Sequence, residues 1–155
     1  MHQIQVKRYL VEKMFSPREG WDVVVDVDAM ELGEGNQNTQ EKRDTAAAEM
    51  KWLSDNGATV HKHKLGKRTD IRATHPEFGT YVIECEGDTS KQREQAMYSA
   101  LGQVLLQMTD PKVKYAIALP NTKPWSDQIG KIPLRIRQLL PLLIFMVGQN
   151  GVEII

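Results

Sequence analysis

The sequence predicts an α/β chain built around a mixed β-sheet, and two patterns carry that expectation. Short segments rich in β-branched residues alternate with a period of two. Between them lie two long segments whose apolar residues return every three or four positions. Trp21, Val23, Val25 and Val27 fall on one side of a strand-like run, with Asp22, Asp26 and Asp28 forming an exposed acidic face on the other. The run from Ile4 to Leu10 alternates less cleanly, and Ser16-Pro17-Arg18-Glu19-Gly20 supplies turn chemistry after it. A β-hairpin over residues 1–30 is therefore expected, although Val6, Leu10 and Met14 also suit a helix.

A polar loop from Glu31 to Asn38 leads into a predicted helix over residues 39–55. Ala46, Met50 and Leu53 share its apolar stripe, and Asn56-Gly57 stops it. A short strand ends near Val60. A second covers residues 69–73, and the turn from His75 to Gly79 leads into a third over residues 80–86. The next helix, residues 90–108, buries Ala96, Ala100 and Val104 together with Met97, Leu101 and Leu105. Tyr115 to Leu119 suits a buried strand, and residues 134–140 a helix with Pro133 at its first turn. A hairpin turning at Gln149-Asn150-Gly151 closes the chain. The 155 residues and 41% hydrophobic content suit one domain. Its parts are a hairpin extension (1–30), a core (39–119) and a C-terminal helix and hairpin (120–155).

Composition narrows the function. Lys plus Arg (20) equal Asp plus Glu (20), so any nucleic-acid contact must come from charge gathered on one face. Cys85 is the one cysteine, which excludes an internal disulfide and a cysteine-rich zinc site and points to a reducing, cytoplasmic setting. The apolar run from Leu139 to Val147 contains Pro141 and is too short to span a bilayer core of roughly 30 Å, so no membrane role is expected.

The chemistry concentrates in the third central strand. Side chains alternate across a strand, so Glu84 and Glu86 project from one face and Ile83 and Cys85 from the other. Paired carboxylates in an apolar strand are expensive to place near a core, and a divalent cation offsets that expense. Pairing through the turn at His75 to Gly79 brings Asp70 to the same region. Three carboxylates suit Mg²⁺ or Mn²⁺, which activates water and stabilises charge on a phosphodiester. The alternative is a solvated strand face.

Asp70, then Glu84-x-Glu86 ending an apolar strand, then a helix carrying Ala100-Leu101-Gly102-Gln103, resembles the PD-(D/E)XK superfamily of restriction endonuclease-like nucleases. The order helix-strand-strand-strand-helix-strand over residues 39–119 resembles that family's core. The resemblance implies Mg²⁺ or Mn²⁺ on Asp70 and Glu84 and hydrolysis of DNA. The family's usual Lys is replaced by Glu86, and Lys91 or Lys67 could supply a migrated cation. Glu49 matches a helix-borne acid that joins the metal, and Gln103 a glutamine that lines the site. Loss of the Lys also fits an inactive scaffold that binds DNA or protein. A homodimer through the N-terminal hairpin fits the size of the family's compact members.

The stretch from His61 to Arg68 is the basic cluster next to these acids. Lys62, Lys64, Lys67 and Arg68 are expected to capture phosphates, the alternative being a solvated loop. His61 and His63 alternate as zinc ligands do, but no third ligand stands at a suitable spacing.

Overall fold

The computed structural model describes residues 1–34, 39–62, 69–88 and 92–155. Its first element is a helix, α1 (Gln3–Met14), entered with the Gln5 side chain accepting the His2 N–H at 2.8 Å. The β-hairpin expected for residues 1–30 is therefore not formed. One helical stripe buries Ile4, Val6, Leu10 and Val11 against the sheet, whereas a hairpin would send alternate side chains to water. A 3₁₀ turn (Pro17–Glu19) and Gly20, at φ 95°, reverse the chain into β1 (Asp22–Val27). In place of that hairpin, α1 packs on β1, β4, β5, β6 and β7 of its own sheet.

The remaining elements are α2 (Gln40–Asp55), β2 (Thr59–Lys62), β3 (Ile71–His75), β4 (Gly79–Cys85), α3 (Arg93–Gln107), β5 (Val113–Pro120), α4 (Lys123–Gly130), α5 (Leu134–Leu139), β6 (Leu142–Val147) and β7 (Val152–Ile154). The strands form one seven-stranded mixed sheet in the order β2-β1-β3-β4-β5-β6-β7. β3 runs antiparallel to both its neighbours, β1 and β4, and β5 and β6 continue in parallel with β4. β6 and β7 make the closing hairpin that Asn150-Gly151 signalled.

Two differences from expectation matter for the site. β1 lies between β2 and β3, so β2 is separated from the β3/β4 pair with which it is grouped in the sequence. The first helix on the centre of the sheet is α1, while α2 leans mainly on α1 and β2. The core thus begins well before residue 39. α4 was not foreseen; it is a short helix that buries Trp125 and Ile129 one turn apart.

Each sheet face carries its own core. Val23, Val25, Ile71, Ile83 and Cys85 meet Ile4, Leu10 and Phe15 of the N-terminal segment and Leu53 of α2. Val82, Tyr115, Ile117 and Ile144 meet Met97 and Val104 of α3 and Trp125 of α4. Among the described residues no helix is long and apolar enough to cross a membrane.

Candidate functional site

Strand pairing brings Asp70 and Glu84 together. Ile71 pairs with Ile83 in the antiparallel β3/β4 ladder, so the next step out sets Asp70 beside Glu84. Asp70 is locked there: its Oδ2 accepts the Cys85 N–H at 2.8 Å, and its own carbonyl accepts the Asp26 N–H at 2.9 Å. Both carboxylates are almost fully buried, Asp70 at 3% and Glu84 at 2% exposed. Glu86 follows just past the end of β4 and is half-buried.

The two carboxylates are held from opposite layers. Glu84 Oε1 accepts from Gln107 Nε2 of α3 at 2.5 Å. Asp70 Oδ1 faces Lys7 Nζ of α1 at 3.0 Å, and its Oδ2 also accepts from Gln3 Nε2 at 3.3 Å. α1 approaches closely enough that Gly87 has no room for a side chain, since an added Cβ would stand 2.6 Å from the Gln3 nitrogen.

Lys7 is the centre of this arrangement and is fully buried. Its ammonium donates to Glu31 Oε2 at 2.6 Å and to the Asp26 carbonyl at 2.7 Å, and pairs with Asp70. Burial alone would push Lys7 down, but Asp70 and Glu31 outweigh it and hold the ammonium above its usual range. Glu31 comes from the turn after β1, where Asp28 Oδ1 accepts its N–H at 2.8 Å. Burial lifts Glu31 to about 7 against the pull of Lys7, and the nearby charge of Asp70 adds to the rise. Burial likewise lifts Glu86 to about 7, reinforced by Asp70, Glu84 and Glu31. The Cys85 thiol, wholly buried, is also driven upward, first by burial and then by Asp70.

Among the described residues, two carboxylates, Asp70 and Glu31, thus share one ammonium, and Glu84 and Glu86 lie nearby on β4 and just past its end. As they stand, no three carboxylate, imidazole or thiol groups there form a set that could hold a metal ion. The donor chemistry nevertheless suits a hard cation, since the donors are carboxylate oxygens. Glu31 Oε1 in particular is buried without a hydrogen-bond partner.

Several expected site residues lie elsewhere. Glu49 of α2 pairs with Arg8 Nε at 3.6 Å and bonds Gln5, and burial raises its carboxyl. Gln103 is exposed and donates to Ser99 Oγ at 3.0 Å; the α3 glutamine that meets the centre is Gln107, one turn on. Lys62 ends β2 at the exposed sheet edge. Lys64, Lys67, Arg68 and Lys91 lie outside the described residues, as does His63. Asp26 is buried at 4% exposed, with His61 Nδ1 3.6 Å from its Oδ1, so the acidic face expected on β1 is partly internal. Beside Gln107, an open cleft of about 590 Å³ runs over the sheet past Arg72, Thr69 and His61.

Lys7 and Glu31 are the residues the sequence reading missed. Lys7 had a signal: at helical spacing it falls between Ile4 and Leu10 or Val11, on the apolar stripe. Glu31 had none, being a single acid in a polar loop.

No protein-family model matches the chain, and no curated protein matches it by sequence. The chain is similar to the solved structure of a protein of unknown function from Silicibacter pomeroyi, with 15% identity and a TM-score of 0.45. That alignment covers 100% of this chain and 70% of the other.

Proposed function

We propose that this chain is a divalent-metal-dependent phosphodiesterase acting on DNA, with Asp70 and Glu84 as metal ligands and Glu86 beside them. The observation that carries the reading is the gathering of Asp70, Glu84, Glu86 and Glu31 at one end of β3 and β4. Burial lifts Glu86 to about 7 there, and Asp70, Glu84 and Glu31 add to the rise. Two buried carboxylates share the one Lys7 ammonium, and two further acids lie near them, an excess of negative charge that a cation would offset. The order α1, β1, β3, β4, α3, β5 supports the same reading. It is the helix-strand-strand-strand-helix-strand order of the PD-(D/E)XK resemblance, with α2 and β2 inserted after β1.

A bound Mg²⁺ or Mn²⁺ supplies a Lewis acid and a more acidic water. The chain's own residues do the rest. Lys7, Gln3 and the Cys85 N–H orient Asp70, while Gln107 orients Glu84. Asp70 and Glu84 would hold the ion, Asp70 exchanging its contact with Lys7 or Glu84 its contact with Gln107. Glu86, poised near neutrality, accepts the proton of the attacking water. Arg72, exposed in the cleft, offers a guanidinium for a phosphate.

A second reading, a non-catalytic scaffold that binds DNA or protein, is favoured by one observation. The Lys7 ammonium is already held by three oxygens, as a substitute cation would be. Incubation of the purified protein with plasmid and single-stranded DNA, plus Mg²⁺ or Mn²⁺, separates the two. Metal-dependent cleavage that disappears in Asp70→Ala and in Glu84→Ala is expected. Cleavage surviving both changes removes this centre, and no cleavage under any condition favours the scaffold.

A further inference from the structure

We infer that the open cleft on the α3 side of the sheet takes a single unpaired nucleotide, its phosphate on Arg72 and its base towards Asp110. The inference rests on the phosphodiesterase reading above and names the part of the substrate that the cleft holds. Strand register builds the floor. Val24, Arg72, Val82 and Tyr115 pair in one row across β1, β3, β4 and β5, so a guanidinium rises between two valines. α3 packs on β4 and β5, and Arg72 stays exposed beside it in β3. Arg72 makes no hydrogen bond, ion pair or ring contact with any described residue. A free guanidinium flanked by apolar side chains fits two oxygens of a phosphate.

The walls differ in character, and that difference selects the ligand. The cleft has a volume of about 590 Å³, within the roughly 300–1,000 Å³ of small-ligand sites. Thr109, Asp110 and Val113 line it beyond the end of α3, and His61 of β2 lines it too. Asp26 also borders the cleft, but it is buried with His61 Nδ1 at 3.6 Å from its Oδ1. Asp110 is exposed, and its Oδ1 accepts the Lys112 N–H at 2.9 Å. An exposed cation and an exposed acid in one cleft disfavour a plain polyanion. They suit a molecule with an anionic end and a neutral end that donates N–H groups, as a nucleotide does through its base. Pairing in a duplex occupies those N–H groups, so the base must be unpaired. Gln107 joins the cleft to the acids, since it lines the wall and donates to Glu84 Oε1. Glu84 stands two residues past Val82 on the same face of β4, about 6–7 Å along the strand. A nucleotide in the cleft is thus adjacent to the acids proposed to cut its phosphodiester.

Titration of the ¹⁵N-labelled protein with deoxyadenosine monophosphate in EDTA tests the site without cleavage. The amide resonances of Arg72, Val82 and Asp110 should shift together, and Arg72→Gln should weaken binding by about tenfold or more. Wild type should likewise bind deoxyadenosine, which lacks the phosphate, about tenfold or more weakly than the monophosphate, a comparison that needs no variant to fold. An oligodeoxyadenylate single strand should displace the monophosphate, and the same strand annealed to its complement should not. Equal binding by wild type and a folded Arg72→Gln, equal binding of deoxyadenosine, shifts confined to other surfaces, or equal displacement by the duplex overturns the inference. Each of these leaves the phosphodiesterase reading to be decided by metal-dependent cleavage. A protein that binds the monophosphate in the cleft but cleaves no DNA overturns that reading instead.

Discussion

Replacing Lys7 by Met keeps most of the side-chain volume in α1 but removes the ammonium. Three contacts vanish together: Glu31 Oε2 at 2.6 Å, the Asp26 carbonyl at 2.7 Å and Asp70 Oδ1 at 3.0 Å. Asp70 and Glu31, at 3% and 5% exposed, are then left facing one another with no ammonium between them. Removing one partner of a buried ion pair destabilises by roughly 3–5 kcal/mol. For a chain of this length that lowers the melting temperature by roughly 6–20 °C. The loss should be largest at alkaline pH and shrink on acidification, because Glu31, already raised to about 7, then takes up a proton. Adding Glu31→Gln should recover part of the loss, a non-additivity that a double-mutant cycle measures. Urea denaturation of the four proteins supplies the numbers. If Lys7→Met costs less than about 1 kcal/mol at neutral pH, the ammonium is not holding the acids together and the electrostatic argument is wrong.

Other outcomes follow from the same geometry. Glu31 and Glu86 bind protons more tightly folded than unfolded, so stability should rise as pH falls from about 7 towards 4.5. Lys7, raised from 10.5, keeps its stabilising effect below that value and adds no slope in this window; urea midpoints across the range read the sign. Gln107→Ala should lower metal-dependent cleavage while Gln103→Ala leaves it unchanged, since only Gln107 holds Glu84; initial rates on plasmid DNA decide it. Gly87→Ala should push the start of α1 off β4 and weaken the Gln3–Asp70 contact, visible as faster amide exchange over the first turn of α1. Cys85, wholly buried with its thiol shifted upward, should resist iodoacetamide in the native protein and react in urea.

The sheet was legible wherever one face meets a core. Val23, Val25 and Val27 alternate because the other side of β1 carries polar groups, and β5 reads as a continuous apolar run because both its faces are covered. The N-terminal helix was obscured by Lys7. A charge on the apolar stripe breaks the pattern, and its burial is explained only by Asp70 and Glu31, which lie far along the chain. The Asp70–Glu84 pairing was accessible because it depends on a short antiparallel turn. Which α3 glutamine meets Glu84 was not, because helical periodicity does not fix how far the helix extends over β4. Glu31 was hidden for a different reason: its burial against Lys7 depends on a fastened turn, which leaves no pattern in sequence.

A crystal soaked in Mn²⁺ and measured at the metal's absorption edge addresses the central claim most directly. An anomalous peak bonded to both Asp70 and Glu84, with Lys7 or Gln107 drawn away from its present partner, is the result this account predicts. A map with no peak there at saturating Mn²⁺, and Lys7 still bridging Glu31 and Asp70, would contradict it.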